Sequence, residues 1–80
     1  MTSTELARCL SDAALAYRAA RDDKTLADLE ALAREAAAHV RRAGDGTVDH
    51  IVLSSVLKLI VPDVPSVEGV LKDAGWRWLP

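Results

Sequence analysis

Apolar residues recur at steps of three and four through the first half of this chain, and that spacing constrains it to helix. Leu6, Leu10, Ala14 and Tyr17 form one series, and Leu26, Leu29, Ala33, Ala36 and Val40 form a second. A strand would need alternation with period two, because successive side chains there point to opposite faces. The first series predicts a helix from about Ser3 to Arg21. Thr2 and Glu5 are spaced as a capping box, which satisfies backbone N–H groups left free at a helix start. The second series predicts a helix from Thr25 to Ala43, with acidic and hydroxyl caps supplied by Asp22-Asp23-Lys24-Thr25. Arg41 and Arg42 fall in its last turn, where cations complement the helix dipole, and Gly44 follows as a stop. Joined by so short a corner, the two helices read as an antiparallel hairpin. The heptad-like seam from Leu26 to Val40 keeps a dimerising contact as the alternative.

The second half is richer in branched residues. After the Asp45-Gly46 turn, Thr47 is positioned to cap a helix from Val48 to Val61. Ile51, Val52, Leu53, Val56, Leu57, Leu59, Ile60 and Val61 leave a polar edge of only His50, Ser54 and Lys58. A helix of that kind is expected to be buried on most sides, at the centre of the fold. Its β-branched content keeps strand open, although period-two alternation is absent. Pro62-Asp63-Val64-Pro65 breaks the chain. Ser66 is placed to cap a short fourth helix reaching to about Ala74, with Val67, Val70, Leu71 and Ala74 inward and Gly75 as its stop. Gly69 inside that helix costs about 1 kcal/mol against Ala. Close approach of another backbone, from this chain or a partner, would offset that cost. The tail Trp76-Arg77-Trp78-Leu79-Pro80, if extended, directs both indoles to one side.

These readings describe one all-α domain over residues 1–80, a small four-helix unit. An Ala-rich hairpin spans residues 1–44, and a second helical pair with an aromatic tail spans residues 47–80. Half the residues are hydrophobic, enough for a core and against intrinsic disorder. Cys9 is the only cysteine, so no intrachain disulfide and no thiolate cluster can form. No stretch approaches the ~20 apolar residues needed to cross a bilayer. Met1-Thr2-Ser3-Thr4-Glu5 has neither the basic nor the apolar region of a signal peptide, so the cytoplasm is the expected compartment and no membrane association is expected. Arg outnumbers Lys seven to three amid abundant Ala, a composition expected of a GC-rich bacterial, phage or plasmid gene.

Nothing in the sequence argues for catalysis. There is no Gly-x-Ser-x-Gly elbow, phosphate-cradling loop or HExxH helix. His39 follows Glu35 by four residues, the spacing of a surface hydrogen bond. His50 reads as a first-turn polar residue. Hence no enzyme, no catalytic residue, no metal, no cofactor and no small-molecule substrate is expected.

The order from Val52 through the proline corner to Leu71-Lys72-Asp73-Ala74-Gly75-Trp76-Arg77-Trp78 resembles the helix-turn-helix and winged-helix superfamily. Many of those domains end the recognition helix in a Leu-x-x-x-Gly-aromatic step. The resemblance covers residues 52–78 and implies a regulatory DNA-binding protein. In that scheme Ser66 to Ala74 enters the major groove, Ser66 and Lys72 are its polar contacts, and Lys58 and Arg77 reach phosphates. At a net charge of −2, DNA binding would call for a dimer or a separate basic patch such as Arg34, Arg41 and Arg42. The alternative is a protein-interaction module: an adaptor, a phage-type inhibitor or an assembly subunit. Trp76 and Trp78 would then be its anchors unless they close the core, since Trp is enriched in binding hot spots.

Overall fold

The computed structural model describes residues 1–80, and all its regular structure is helical. The helices are α1 (Ser3–Ala20), α2 (Asp23–Ala43), α3 (Val48–Ile60) and α4 (Pro65–Asp73). α1 packs on both α2 and α3, and α2 packs also on α3 and α4. The hairpin thus carries one helix of the second pair on each of its arms.

Local chemistry sets the helix starts. Thr2 and Glu5 form the reciprocal capping box, with the Thr2 N–H donating to Glu5 Oε1 at 3.0 Å and the Glu5 N–H to Thr2 Oγ1 at 3.1 Å. Asp22 caps α2 by accepting from the Thr25 N–H at 2.8 Å. Thr47 caps α3 by accepting from the His50 N–H at 3.4 Å. The fourth start differs from expectation. Ser66 is exposed and caps nothing; Val64 holds the N-cap position without a side-chain bond, and Pro65 opens the helix. Proline's missing N–H is one that a helix start leaves unpaired anyway and its φ is already helical, so α4 begins at Pro65, two residues before a Ser66 cap would start it.

α4 ends in a Schellman stop. The Trp76 N–H donates to the Leu71 carbonyl at 2.9 Å and the Gly75 N–H to the Lys72 carbonyl at 3.1 Å. Gly75 sits at φ +83°, where an added Cβ would be strained and would meet the Arg41 guanidinium at 3.3 Å. In this chain the Leu71-x-x-x-Gly75-Trp76 step is therefore a helix terminator.

The core is built from Leu6, Leu10, Leu29, Leu53, Leu57, Val67 and Leu71, none more than 1% exposed. Ala33, Ala36 and Ala37 are buried with them and keep α2 close to its neighbours. Each buried Leu contributes roughly 1.5–3 kcal/mol. Leu29, Ala33, Ala36 and Val40 of the heptad-like seam are all buried within the chain, and Leu26 packs against the same core. The hairpin reading of that seam holds.

α3 is turned differently from its sequence expectation. His50 and Ser54, the expected polar edge, are 1% and 4% exposed, whereas Val48 is 73%, Ile51 50% and Leu59 78% exposed. Leu53, Leu57 and Ile60 recur at four- and three-residue steps and fix the inward face. His50 and Ser54 fall on that same face, one turn ahead of Leu53 and between it and Leu57. Three large aliphatic side chains outweigh one hydroxyl and one imidazole whose nitrogens find partners. The apolar surplus must then point outward. At Gly69 a Cβ would meet nothing within 4 Å, so of the two approaches expected there, that of this chain's own backbone is absent.

Candidate functional site

Two side-chain clusters and one surface emerge from this packing. At one junction Asp49, in the first turn of α3, stands beside the Ser3 hydroxyl and lies 3.5 Å from His39 Nε2. The Ser3 hydroxyl, and next the contact with His39, hold the Asp49 carboxyl below the usual carboxylate range. Asp49 stands between the serine and the imidazole. Nucleophilic catalysis needs the base between nucleophile and acid, so this order ties α1, α2 and α3 together without activating Ser3. Glu35 pairs with Arg42 at 3.6 Å, and the spacing expected to join it to His39 is not used. No group of three or more His, Cys, Asp or Glu side chains is arranged to hold a metal.

A second cluster fastens the tail. The Gly46 N–H donates to His50 Nδ1 at 2.9 Å, which leaves Nε2 to carry the proton and donate to the Arg77 carbonyl at 2.6 Å. The His50 ring meets Trp76 edge to face at 5.1 Å, and Trp76 meets Trp78 likewise at 5.6 Å. Both indoles share one side of the tail, as alternation predicts, and both are half-buried against the core. The Arg41 guanidinium donates to the Ala74 carbonyl, and Arg77 lies 4.0 Å from Asp45. With Arg41 turned onto Ala74 and Arg42 onto Glu35, only Arg34 of the expected basic patch is left without such a contact.

The groups assigned to DNA contact are all on the surface. Lys58 is exposed near the end of α3, Ser66 in the first turn of α4, Lys72 near its end, and Arg77 in the tail. Lys58 and Lys72 form no ion pair, while Glu68 and Asp73 are exposed beside Lys72 on α4.

The surface is the outward side of α3. Val48, Ile51, Ser55 and Leu59 follow one another at steps of three and four, so they form a single stripe. Ser55 donates its hydroxyl to the Ile51 carbonyl at 2.9 Å, and exposed Lys58 borders the stripe one turn further on. At Leu59 the stripe opens into a cleft of about 240 Å³ between α1 and the α3–α4 turn. Its walls include Leu15, Tyr17, Leu59, Ile60 and Val64, and Leu15 is 59% exposed at its lip. Arg18, paired with Asp63, and Arg21, whose guanidinium lies 5.4 Å from the Tyr17 ring centre, line it as well. Sequence reasoning passed over this surface because α3 is apolar on nearly every side. The available signal was phase: Leu53, Leu57 and Ile60 mark one face, and Val48, Ile51 and Leu59 fall opposite.

Comparison with protein-family models, curated proteins and solved structures finds no match to this chain. No helix is long and apolar enough to cross a membrane.

Proposed function

We propose that this chain is a non-enzymatic protein-binding module that docks a partner on the outward face of α3 and the adjoining cleft. The observation that carries the reading is the inverted burial of α3: a polar pair is sealed inside while Val48, Ile51 and Leu59 face water. Scattered exposed apolar residues are ordinary, but a contiguous stripe joined to a cleft is the mark of an interaction surface. The test is capture from a lysate of the source cells by the wild-type domain and by the Ile51→Glu/Leu59→Glu variant. The expected result is one defined set of proteins retained by the wild type and lost by the variant, with the melting curve barely changed. Equal retention by both would refute the reading.

A second reading, regulatory DNA binding through α3, the proline turn and α4, is favoured by the two free ammonium groups of Lys58 and Lys72, with Ser66 and Arg77 also exposed. It calls for a mobility shift on duplex DNA that weakens steeply with salt and is lost in Lys72→Glu. Absence of a shift at low salt would remove it.

A further inference from the structure

We infer that the partner element is an acidic amphipathic helix, which lies along α3, seats one bulky apolar side chain between Leu15 and Leu59, and turns carboxylates toward Arg18 and Arg21. This deepens the proposed binding role and rests on it. Three observations carry it. The first is length: Val48 to Leu59 spans eleven residue steps, about 16 Å at the helical rise, which is the contact length of three turns of partner helix. Helical partners present anchors about one turn apart.

The second is size. The cleft's 240 Å³ falls below the roughly 300–1,000 Å³ of pockets that enclose whole drug-sized ligands, so it suits an anchoring side chain better than a free metabolite. The third is charge. The chain is net acidic at −2, yet the cleft is lined by two guanidiniums and one carboxylate. That carboxylate, Asp63, is already held by Arg18, and Arg21 has no anionic partner. The unpaired Arg21 guanidinium beside this apolar floor favours a helix with an acidic border over one with a basic border. A nucleic-acid backbone would meet the arginines but has nothing to place against Leu15, Ile51 and Leu59.

The test uses three labelled helical peptides with one shared Leu/Trp face and a polar face of Glu, Gln or Lys, read by fluorescence anisotropy on the intact chain. The Glu-faced peptide is expected to bind about tenfold tighter than the Lys-faced one, with the preference shrinking as salt rises. Arg21→Glu should abolish the preference, and Asp63→Asn, which frees Arg18, should enlarge it. Leu59→Glu should weaken all three. Equal binding of all three peptides overturns the acidic partner while leaving the apolar docking face standing. Binding by none overturns the helical partner, and the lysate comparison then decides the wider reading independently. Tighter binding of a labelled DNA duplex than of the Glu-faced peptide also overturns it.

Discussion

His50 is the residue on which two parts of the chain depend. A neutral imidazole has one donor and one acceptor, and the Gly46 N–H and Arg77 carbonyl require the proton on Nε2. Nitrogen chemical shifts of this ring at neutral pH are expected to report the Nε2–H form; an Nδ1–H form would mean that the corner before α3 and the tail are not joined through it. Gly69 is the opposite kind of residue, one with no contact in this chain that calls for it. Its helical position and open surroundings mean that Gly69→Ala should stabilise the domain by about 1 kcal/mol. For a chain of this size that raises the thermal midpoint by about 4–8 °C. A lowered midpoint would show that the surface of α4 is not open at that point.

At the scale of elements, α3 divides into a face that holds the fold and a face that does not. Leu57→Ala should cost about 2–5 kcal/mol because it leaves a hole beneath a fully buried side chain. Leu59→Ala, two residues away and largely exposed, should change the midpoint little. Chemical denaturation of both variants distinguishes them, and comparable losses would contradict the orientation of α3. The helix starts respond to acid. Hydrogen bonds from Thr2 to Glu5 and from Thr25 to Asp22, and the Ser3 hydroxyl beside Asp49, hold these carboxyls below their ordinary range. A carboxyl depressed in the folded state favours folding fully above its unfolded value, and the contribution is lost as pH falls through the ordinary carboxylate range toward the folded one. The thermal midpoint should therefore fall with acid, and less steeply in Glu5→Gln, Asp22→Asn or Asp49→Asn. An unchanged slope in all three would refute the assignment.

The same division explains what could be seen from the sequence. Helix positions were legible because caps and stops are local: Thr2 with Glu5, Asp22 with Thr25, and Gly75 after Leu71 act over three to five residues. The hairpin was legible because α1 and α2 have narrow apolar stripes. The facing of α3 was not, since a helix apolar all round gives no preferred phase, and packing against α1 and α2 decided it. That hid the stripe of Val48, Ile51 and Leu59 and drew attention to Lys58, Ser66, Lys72 and the two indoles. Ser66 was misread as a cap because Pro65, preset to helical φ, starts α4 ahead of it and leaves Ser66 inside the first turn.

For the whole molecule, the hairpin holds α3 on one arm and α4 on the other, and the tail closes the end near the α2–α3 corner through His50, Trp76 and Arg41. With core and tail tied down, the outward stripe of α3 is the large apolar surface that folding leaves unmatched. Its exposure is measured most directly by relaxation of methyl protons with a soluble gadolinium chelate. The methyls of Ile51 and Leu59 should relax strongly while those of Leu53 and Leu57 stay protected. Protection of Ile51 and Leu59 in the dilute monomer, with Leu53 or Leu57 accessible, would contradict the account.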